Sequence, residues 1–497
     1  MSEKWSCNRA DEILYQRRRA MRQIIKGVLV SCLALLLVCI DSRIGFTLQY
    51  SNWEIGGYIR NETSLKLGDD TDEPIWIENI LQLEIVNHLT DNMDLFLMTR
   101  AYYDAVYDAK DGGFLKDSSV RRELRDKYGS HRKDTQADAI REAYIDIFLE
   151  DFDIRVGKQQ IVWGKTEGFK MLDIINPTDY RHFVQDSFED SRITLWAARI
   201  DWAIGLNNLL ELVIIPDVEP NLAPPYGHPF AFRVNRETDP STVIVLKDNK
   251  SWQFKNTEWG LRWGQNLGSF DYTLNYFYHW TDNPYVKFQG LSLDFTHGIR
   301  PILLYDYKRM HSIGGSFSKN FTEFLGLKHV VLRGETVLRL EDAGAKLSAA
   351  GTAEPIRTDS FNYALALDHT FYRPYRLWPT GLSVTFQFFQ SVVLDYENSY
   401  INGATSTQTD PVELDEVDNT LTLSFMSNYL PGEVLKTFFL ISYGDDNEWW
   451  FFPKLSYELT EKTTVSLGAH IYAGPADGFI GQMRKNNNIF MQIKFGI

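Results

Sequence analysis

Cysteine is scarce in this chain of 497 residues, and its three copies, Cys7, Cys32 and Cys39, all lie within the first 45 residues. If that stretch is removed as a leader, the remaining chain has no thiol. Disulfide scaffolds, thiolate zinc sites and cysteine nucleophiles are therefore excluded from the predicted mature protein. Long apolar runs are also missing after residue 45, so we expect no transmembrane helix of about 20 residues there.

The first 45 residues have the pattern of an export signal. Arg22 and Lys26 precede residues 27–40, an uncharged and mostly apolar stretch. A basic region followed by a short apolar core is typical of a cleaved secretory signal peptide. We predict a leader over residues 1–45, with Met21 as an alternative start, and a mature chain over residues 46–497.

The balance of charge argues against one class of partner. Removing the 8 basic and 4 acidic residues of the leader leaves 43 Lys and Arg against 62 Asp and Glu, a net charge of −19. So acidic a chain is poorly suited to binding nucleic-acid phosphates, and we expect no nucleic-acid partner. The usual hydrolase, zinc-protease and phosphate-loop motifs are missing too. We predict no catalytic residues, no metal ligands and no cofactor.

Aromatic residues and alternating segments are what the chain has in abundance. Aromatics make up 14% of the sequence. The final stretch, residues 486–497, alternates between an apolar face and a mostly polar face, namely Ile489, Met491, Ile493, Phe495 and Ile497 against Phe490, Gln492, Lys494 and Gly496. A period of two indicates a β-strand. Similar segments recur from Trp53 onward. In outer-membrane barrels such apolar faces meet lipid and aromatics form girdles at both interfaces.

The connections between these segments alternate between short and long. The short ones are residues 88–92, 150–151, 205–208, 266–269, 430–433 and 460–462; the long ones are 108–138, 161–190, 216–251, 281–305, 341–358 and 396–414. Short periplasmic turns and long extracellular loops are typical of outer-membrane barrels. The pattern predicts an all-β transmembrane antiparallel barrel of about 16–18 strands. Periplasmic β-sandwich domains are the alternative, but they do not explain the sorting of connections. The proline-rich stretch 216–251 is not expected to form sheet.

Residues 161–190 are the candidate constriction of this barrel, because they do not alternate and carry many charges of both signs. A barrel of sixteen or more strands encloses water, and charged side chains that narrow this space set its selectivity. An outer loop packed on its neighbours is the alternative. The candidate pore residues, on this segment and on lumen-facing strand positions, are Arg155, Lys158, Lys165, Glu167, Asp173, Asp179, Arg199, Arg262, Arg333, Glu335, Arg339 and Glu341.

Two regions carry a resemblance to a known family. The first contains Arg155-Val-Gly-Lys-Gln159, Val162-Trp-Gly164 and Ile175-Asn-Pro-Thr-Asp179; the second contains Pro453-Lys-Leu-Ser-Tyr-Glu-Leu-Thr460, Gly468, Gly474 and Phe479-Ile-Gly481. Over about residues 50–497 the chain resembles an uncharacterised Gram-negative outer-membrane family, domain of unknown function thirteen-zero-two. The resemblance implies a porin-like barrel and gives no catalytic residues. The chain departs from the family pattern at Lys158, Lys165 and Ile497, which bears on the constriction rather than on the barrel.

Together these features predict a channel in the cell outer membrane for the passive passage of small solutes. Its expected partners are outer-membrane lipid, the barrel-insertion machinery and a small solute that the sequence does not identify. The alternative is an outer-membrane barrel enzyme, with residues dispersed over several strands, or a closed ligand-binding receptor without an open pore.

Overall fold

Eighteen strands form the main body of the protein. The structure, a computed structural model, describes residues 48–497 except 51, 69–73, 109–138, 217, 225–227, 234–242, 247–253, 295–297, 349–352, 373–376 and 403–411. The predicted leader lies outside the described residues. The strands are β1 Trp53–Lys66, β2 Pro74–Thr90, β3 Met93–Asp104, β4 Ile140–Phe148, β5 Phe152–Gln159, β6 Leu195–Ile204, β7 Asn208–Ile215, β8 Glu258–Asn266, β9 Phe270–Trp280, β10 Arg309–Phe324, β11 Leu327–Leu347, β12 Ala353–Phe371, β13 Leu382–Val393, β14 Val417–Tyr429, β15 Leu435–Gly444, β16 Glu448–Thr460, β17 Thr463–Ala473 and β18 Asn488–Gly496.

The eighteen strands form a closed antiparallel ring. Each pairs with the next along the chain, and β1 pairs with β18 in a register that runs from Tyr58 opposite Gly496 to Lys66 opposite Asn488. Closure satisfies the backbone groups that the edge of an open sheet would expose. The predicted barrel is confirmed, at the upper of its two strand counts. No helix in the described part of the chain is long and apolar enough to cross a membrane.

The alternation along each strand makes the outside of the barrel apolar and the inside polar. In β6, Trp196 and Trp202 point outward and are exposed, whereas Arg199 and Asp201 point inward and form an ion pair of 2.6 Å. Other large outward side chains that are exposed include Leu261, Leu274, Phe386, Leu421, Leu467 and Ile489. An apolar exterior around a polar lumen is the arrangement that meets lipid in outer-membrane barrels. The protein is therefore a membrane-spanning barrel of the outer-membrane type.

The predicted short connections are confirmed. Only residues 91–92 separate β2 from β3, and only 205–207 separate β6 from β7. These turns lie at the same end of the barrel, because every second connection joins the same ends of an antiparallel ring. The opposite end has short connections as well, such as residues 445–447 between β15 and β16. There Asp446 and Asn447 both have φ of 59°, which Asp and Asn tolerate better than most residues.

Several predicted long connections, among them 216–251, 281–305 and 341–358, contain more sheet than their patterns indicated. Residues 341–358 are mostly a continuation of β11 and β12, so that the strands rise past the ring as a hairpin. The proline-rich stretch 216–251 contains a strand, Val243–Leu246, and the prediction that it lacks sheet is wrong there. All prolines of this stretch precede that strand, whose β-branched residues favour extended structure. It pairs in parallel with Gly298–Asp306, which also pairs with Tyr285–Asp294, in a small separate sheet.

Candidate functional site

Residues 160–194 lie inside the ring of strands; we call them the crossing segment. The segment leaves the wall at the end of β5 and rejoins it at the start of β6. Between these points it contacts Glu335 on β11, Gln387 on β13, Tyr472 on β17 and Arg60 on β1. Because these strands occupy widely separated positions around the ring, the segment passes through the lumen and narrows it.

The first part of the crossing segment is packed into the wall by apolar side chains. Trp163 lies against Gly260 of β8, where an added Cβ would be 3.0 Å from its ring, and makes an edge contact with Phe277 of β9. Its indole N–H donates to Glu211 on β7 at 2.5 Å. Leu172 is fully buried and packs in the same way against a glycine of β10, Gly314, where a Cβ would be 2.6 Å from its methyl. Glycine at these wall positions makes room for the segment.

A carboxylate on the wall holds the turn that follows Trp163. Glu335 accepts backbone N–H bonds from Lys165, from Thr166 at 2.7 Å and from Leu172 at 3.0 Å. Backbone N–H groups converging on an ionised acceptor make strong hydrogen bonds. We call this arrangement the Glu335 latch.

Beside the latch, an amide on the wall binds both backbone groups of one residue. Gln387 accepts the N–H of Glu167 at 3.0 Å and donates to the carbonyl of Glu167 at 2.7 Å. Arg333 reaches the same turn through the carbonyl of Lys165. The turn is therefore bound through its backbone rather than its side chains.

Arginines of the wall hold the end of the crossing segment. Asp190 forms ion pairs of 2.8 Å with both Arg60 of β1 and Arg100 of β3. Burial alone would raise the pKa of Asp190, but the two guanidinium groups outweigh burial and hold that pKa well below its usual value. Asp190 is therefore ionised at neutral pH. Arg141 of β4 donates to three carbonyl oxygens of the same turn, those of Glu189, Asp190 and Arg192, at 2.7–3.0 Å.

An aromatic cluster fills another part of the lumen. Phe183 of the crossing segment lies at its centre and contacts Tyr472 at 5.7 Å and Phe479 at 5.1 Å between ring centroids. Two other connections contribute to it, residues 228–232 and 479–483. Its buried members are Ile75, Trp76, Phe183, Phe230, Leu440, Trp450, Tyr472, Ile480 and Met483. This packed cluster excludes solute from its part of the barrel.

Among the described residues, the crossing segment separates two polar cavities. Asp179 and Arg181 line the first, whereas Thr178 and Tyr180 line the second, so this extended stretch is a shared wall. The first, which we call the arginine cavity, has a volume of about 110 Å³ and is lined by Arg60, Glu78, Ile80, Arg100, Tyr102, Arg141, Lys158, Asp179, Arg181, His182, Asp186, Asp190, Ile193 and Thr194.

The second cavity has a volume of about 130 Å³ and a different balance of charge. Its charged lining residues are Lys170, Asp173, Asp282, Arg339 and Asp342. Burial lowers the pKa of Lys170 to about 8 and raises the pKa of Asp282 to about 7. Both pKa values lie close to neutral pH, so the charge of this cavity changes with pH in that range.

The predicted pore residues are distributed over several places rather than one. Lys158 and Asp179 line the arginine cavity, and Asp173 and Arg339 line the second. Glu335 forms the latch described above. On the wall, the pairs are Arg155 with Asp146 at 2.6 Å, Arg199 with Asp201 at 2.6 Å, Arg262 with Glu211 at 2.9 Å and Arg333 with Asp368 at 2.6 Å.

The remaining three predicted residues do not line either cavity. Lys165 and Glu167 contribute their backbone groups to the latched turn, and the Glu167 side chain is 3.4 Å from Arg333. Glu341 lies on the hairpin above the ring, half-exposed and paired with Arg357.

Pattern reasoning missed the arginines that meet at Asp190. Arg60 and Arg100 both occupy lumen-facing positions of their strands, which the alternation could have shown. Arg141 lies beside a register shift in the pairing of β3 with β4, which obscures its direction in the sequence. Asp190 itself was within the predicted constriction but had no feature to distinguish it from its acidic neighbours.

Comparisons with known proteins agree with this architecture. A family described as "Protein of unknown function (DUF1302)" matches residues 77–437. The crystal structure of Acinetobacter baumannii OccAB2 is similar with a TM-score of 0.51 at 10% identity, over 91% of this chain and 99% of that one. Pseudomonas aeruginosa OccK8 (OprE) gives 0.47 at 9% identity, over 90% and 98%. A search of curated protein sequences finds no match. At this identity the likeness to OccAB2 shows the fold alone.

Proposed function

The chain belongs to the DUF1302 family, and we propose that it is a porin-like channel through which small solutes cross the outer membrane passively. The crossing segment would be its constriction. The observation that carries the proposal is a closed eighteen-strand barrel whose polar lumen is narrowed, from within, by its own chain. Barrels of sixteen or more strands are wide enough for an aqueous passage, and charged groups at the narrowest point select the solute.

The two polar cavities support this proposal. They lie on either side of the crossing segment and are lined by ionised and hydrogen-bonding side chains, as a water-filled path requires. Passage down a concentration gradient needs neither a catalytic step nor a cofactor. We propose outer-membrane lipid, the barrel-insertion machinery and a small polar solute as its partners.

A closed receptor is the second candidate, because the aromatic cluster and the crossing segment fill much of the lumen. Conductance distinguishes the two functions. Purified protein is inserted into a planar lipid bilayer, and insertion is verified by the shift in gel mobility on heating. Discrete current steps are expected for a channel. A folded, inserted barrel that passes no current would refute the channel and favour the receptor.

The role of the crossing segment has its own test. Asp190→Asn removes the charge that holds the segment to Arg60 and Arg100, and a larger and noisier unit conductance is expected. Asp201→Asn is the matched control, because Asp201 is also a buried lumen-facing acid, but its ion-pair partner is Arg199 on its own strand. If both variants behave alike, the segment is not the constriction, whereas the channel itself would stand.

A further inference from the structure

The arginine cavity has a surplus of positive charge in a chain that is acidic overall. The whole chain has 51 basic and 66 acidic residues. The described lining of this cavity instead includes five Lys and Arg against four Asp and Glu, and His182 as well. Burial alone would lower the pKa of His182, but the carboxylate of Asp186 outweighs it and raises the pKa to about 10. His182 therefore carries a positive charge at neutral pH.

The four acids of the cavity are already engaged in ion pairs. Glu78 and Asp190 pair with Arg60 at 2.9 and 2.8 Å. Asp179 pairs with Arg181 at 2.6 Å, and Asp186 pairs with His182 at 3.1 Å. The four negative charges thus lie close to particular cations, and they are fewer than the six cations of the described lining.

Arg141 is a cation of this cavity that makes no ion pair with a described carboxylate, although Asp190, Asp179 and Glu142 act on its charge from a greater distance. Its three hydrogen bonds all come from Nη2 and all go to uncharged carbonyl oxygens. Among the described residues, no carboxylate lies within ion-pairing distance of it. Its Nη1 and Nε hydrogens have no protein acceptor there either. Nη1 and Nε therefore keep N–H groups that can each donate to an oxyanion, and the guanidinium stays charged.

We infer that the arginine cavity is a binding site for small oxyanions, such as a carboxylate or a phosphate group, and that Arg141 determines this preference. The inference rests on the proposed channel function and names its solute class. A volume of about 110 Å³ admits a group of a few atoms at a time. A larger solute would therefore enter with its anionic group first.

The test is selectivity in a planar bilayer. A gradient of potassium chloride across the membrane gives a reversal potential, and its sign should favour anions. Inorganic phosphate and succinate are then added separately, and at least one should reduce the chloride current by occupying the site. Block by phosphate alone, by succinate alone or by both supports an oxyanion site and identifies the group preferred. A cation-favouring reversal potential, or no block by either, overturns the inference while leaving the channel in place. A silent barrel would instead contradict the proposed function.

Three variants separate charge from anchoring. In Arg141→Gln, the anion-to-cation permeability ratio should fall roughly fivefold, the size expected for one unit charge near the path, and block should weaken. Arg141→Lys keeps the charge and should keep the preference. Arg309→Gln is the matched control, because Nη2 of Arg309 also donates to two backbone carbonyls, those of Lys255 and Thr257, but outside this cavity. If the Lys variant loses selectivity as fully as the Gln variant, Arg141 only anchors the segment and the inference fails.

Discussion

The Glu335 latch leads to a quantitative prediction about how the crossing segment opens. Replacing Glu335 by alanine removes the acceptor of three backbone N–H groups. Each buried donor left without a partner costs about 1–3 kcal/mol. The N–H groups of Lys165 and Thr166 are half-buried and can bind lumen water, whereas Leu172 is fully buried. We therefore expect Glu335→Ala to favour local opening by about 2–4 kcal/mol. Glu335→Gln keeps a neutral acceptor and should favour opening by about 1–2 kcal/mol.

Thiol labelling measures this opening directly. All three natural cysteines lie in the predicted leader, so Leu172→Cys introduces the single thiol of the mature chain. Residue 172 is fully buried, and a small thiol reagent reaches it only when the latched turn opens. When opening and closing are fast, the labelling rate follows the open population. Since about 1.4 kcal/mol is tenfold, the rate should rise roughly 5- to 30-fold in Glu335→Gln and roughly 30- to 700-fold in Glu335→Ala.

Two controls make the result specific. Glu84→Gln removes a different lumen-facing acid, one that accepts a bond from Gln82, and should leave the labelling of Leu172→Cys unchanged. Met483→Cys places a thiol in the aromatic cluster, and Glu335→Ala should not alter its labelling. The reasoning would be refuted by equal labelling rates at residue 172 with and without Glu335, or by faster labelling at both sites, which would indicate general destabilisation.

Three further predictions concern pH, lipid contact and backbone geometry. Asp186 raises the pKa of His182 to about 10. Their pairing should therefore stabilise the fold fully below pH ~6.5, and this stabilisation should be lost as pH rises through about 10. The difference in unfolding midpoint between wild type and His182→Gln should shrink over that pH range. Leu274→Arg puts a charge on the lipid face and should cost about 2–4 kcal/mol near the bilayer midplane, measured by urea unfolding in liposomes. Gly157→Ala should lower the temperature of the heat-induced gel shift, because φ is +141° and a Cβ would lie 2.2 Å from the carbonyl oxygen of Ala143; an unchanged temperature would contradict this reading.

The barrel could be predicted from the sequence because its two faces meet different solvents. A strand between lipid and water must alternate, and β18 does so along its whole length, with Ile489 outward and Gln492 inward. The alternation of short and long connections then predicted the direction in which each strand crosses the membrane. The same dependence on two solvents explains why the pattern did not predict the continuation of β11 and β12 through residues 341–358. Strands that rise above the membrane no longer separate lipid from water, so their alternation weakens although the sheet continues.

The contacts of the crossing segment could not be predicted in this way. Lack of alternation shows that a segment leaves the wall, but it does not show what the segment touches. Glu335 meets Thr166 and Leu172 only because the curvature of the ring brings β11 within reach of the chain that follows β5. These contacts use backbone N–H groups, which every residue except proline has. The sequence therefore carries no local sign of the latch beyond a lumen-facing acid on β11.

The glycines of the wall indicate how the channel selects. A Cβ at Gly260 would press on Trp163, and a Cβ at Gly314 would overlap with Leu172. The wall and the crossing segment are thus fitted to each other at two separate strands, and the latch binds the turn between these contacts. A segment held in this way behaves as part of the barrel wall rather than as a mobile lid, because each contact must be lost before it can swing aside. Selection should then depend on fixed charges beside the segment, above all on the arginines of β1, β3 and β4. Single substitutions of those arginines should accordingly change which ion passes more than they change how often the channel opens.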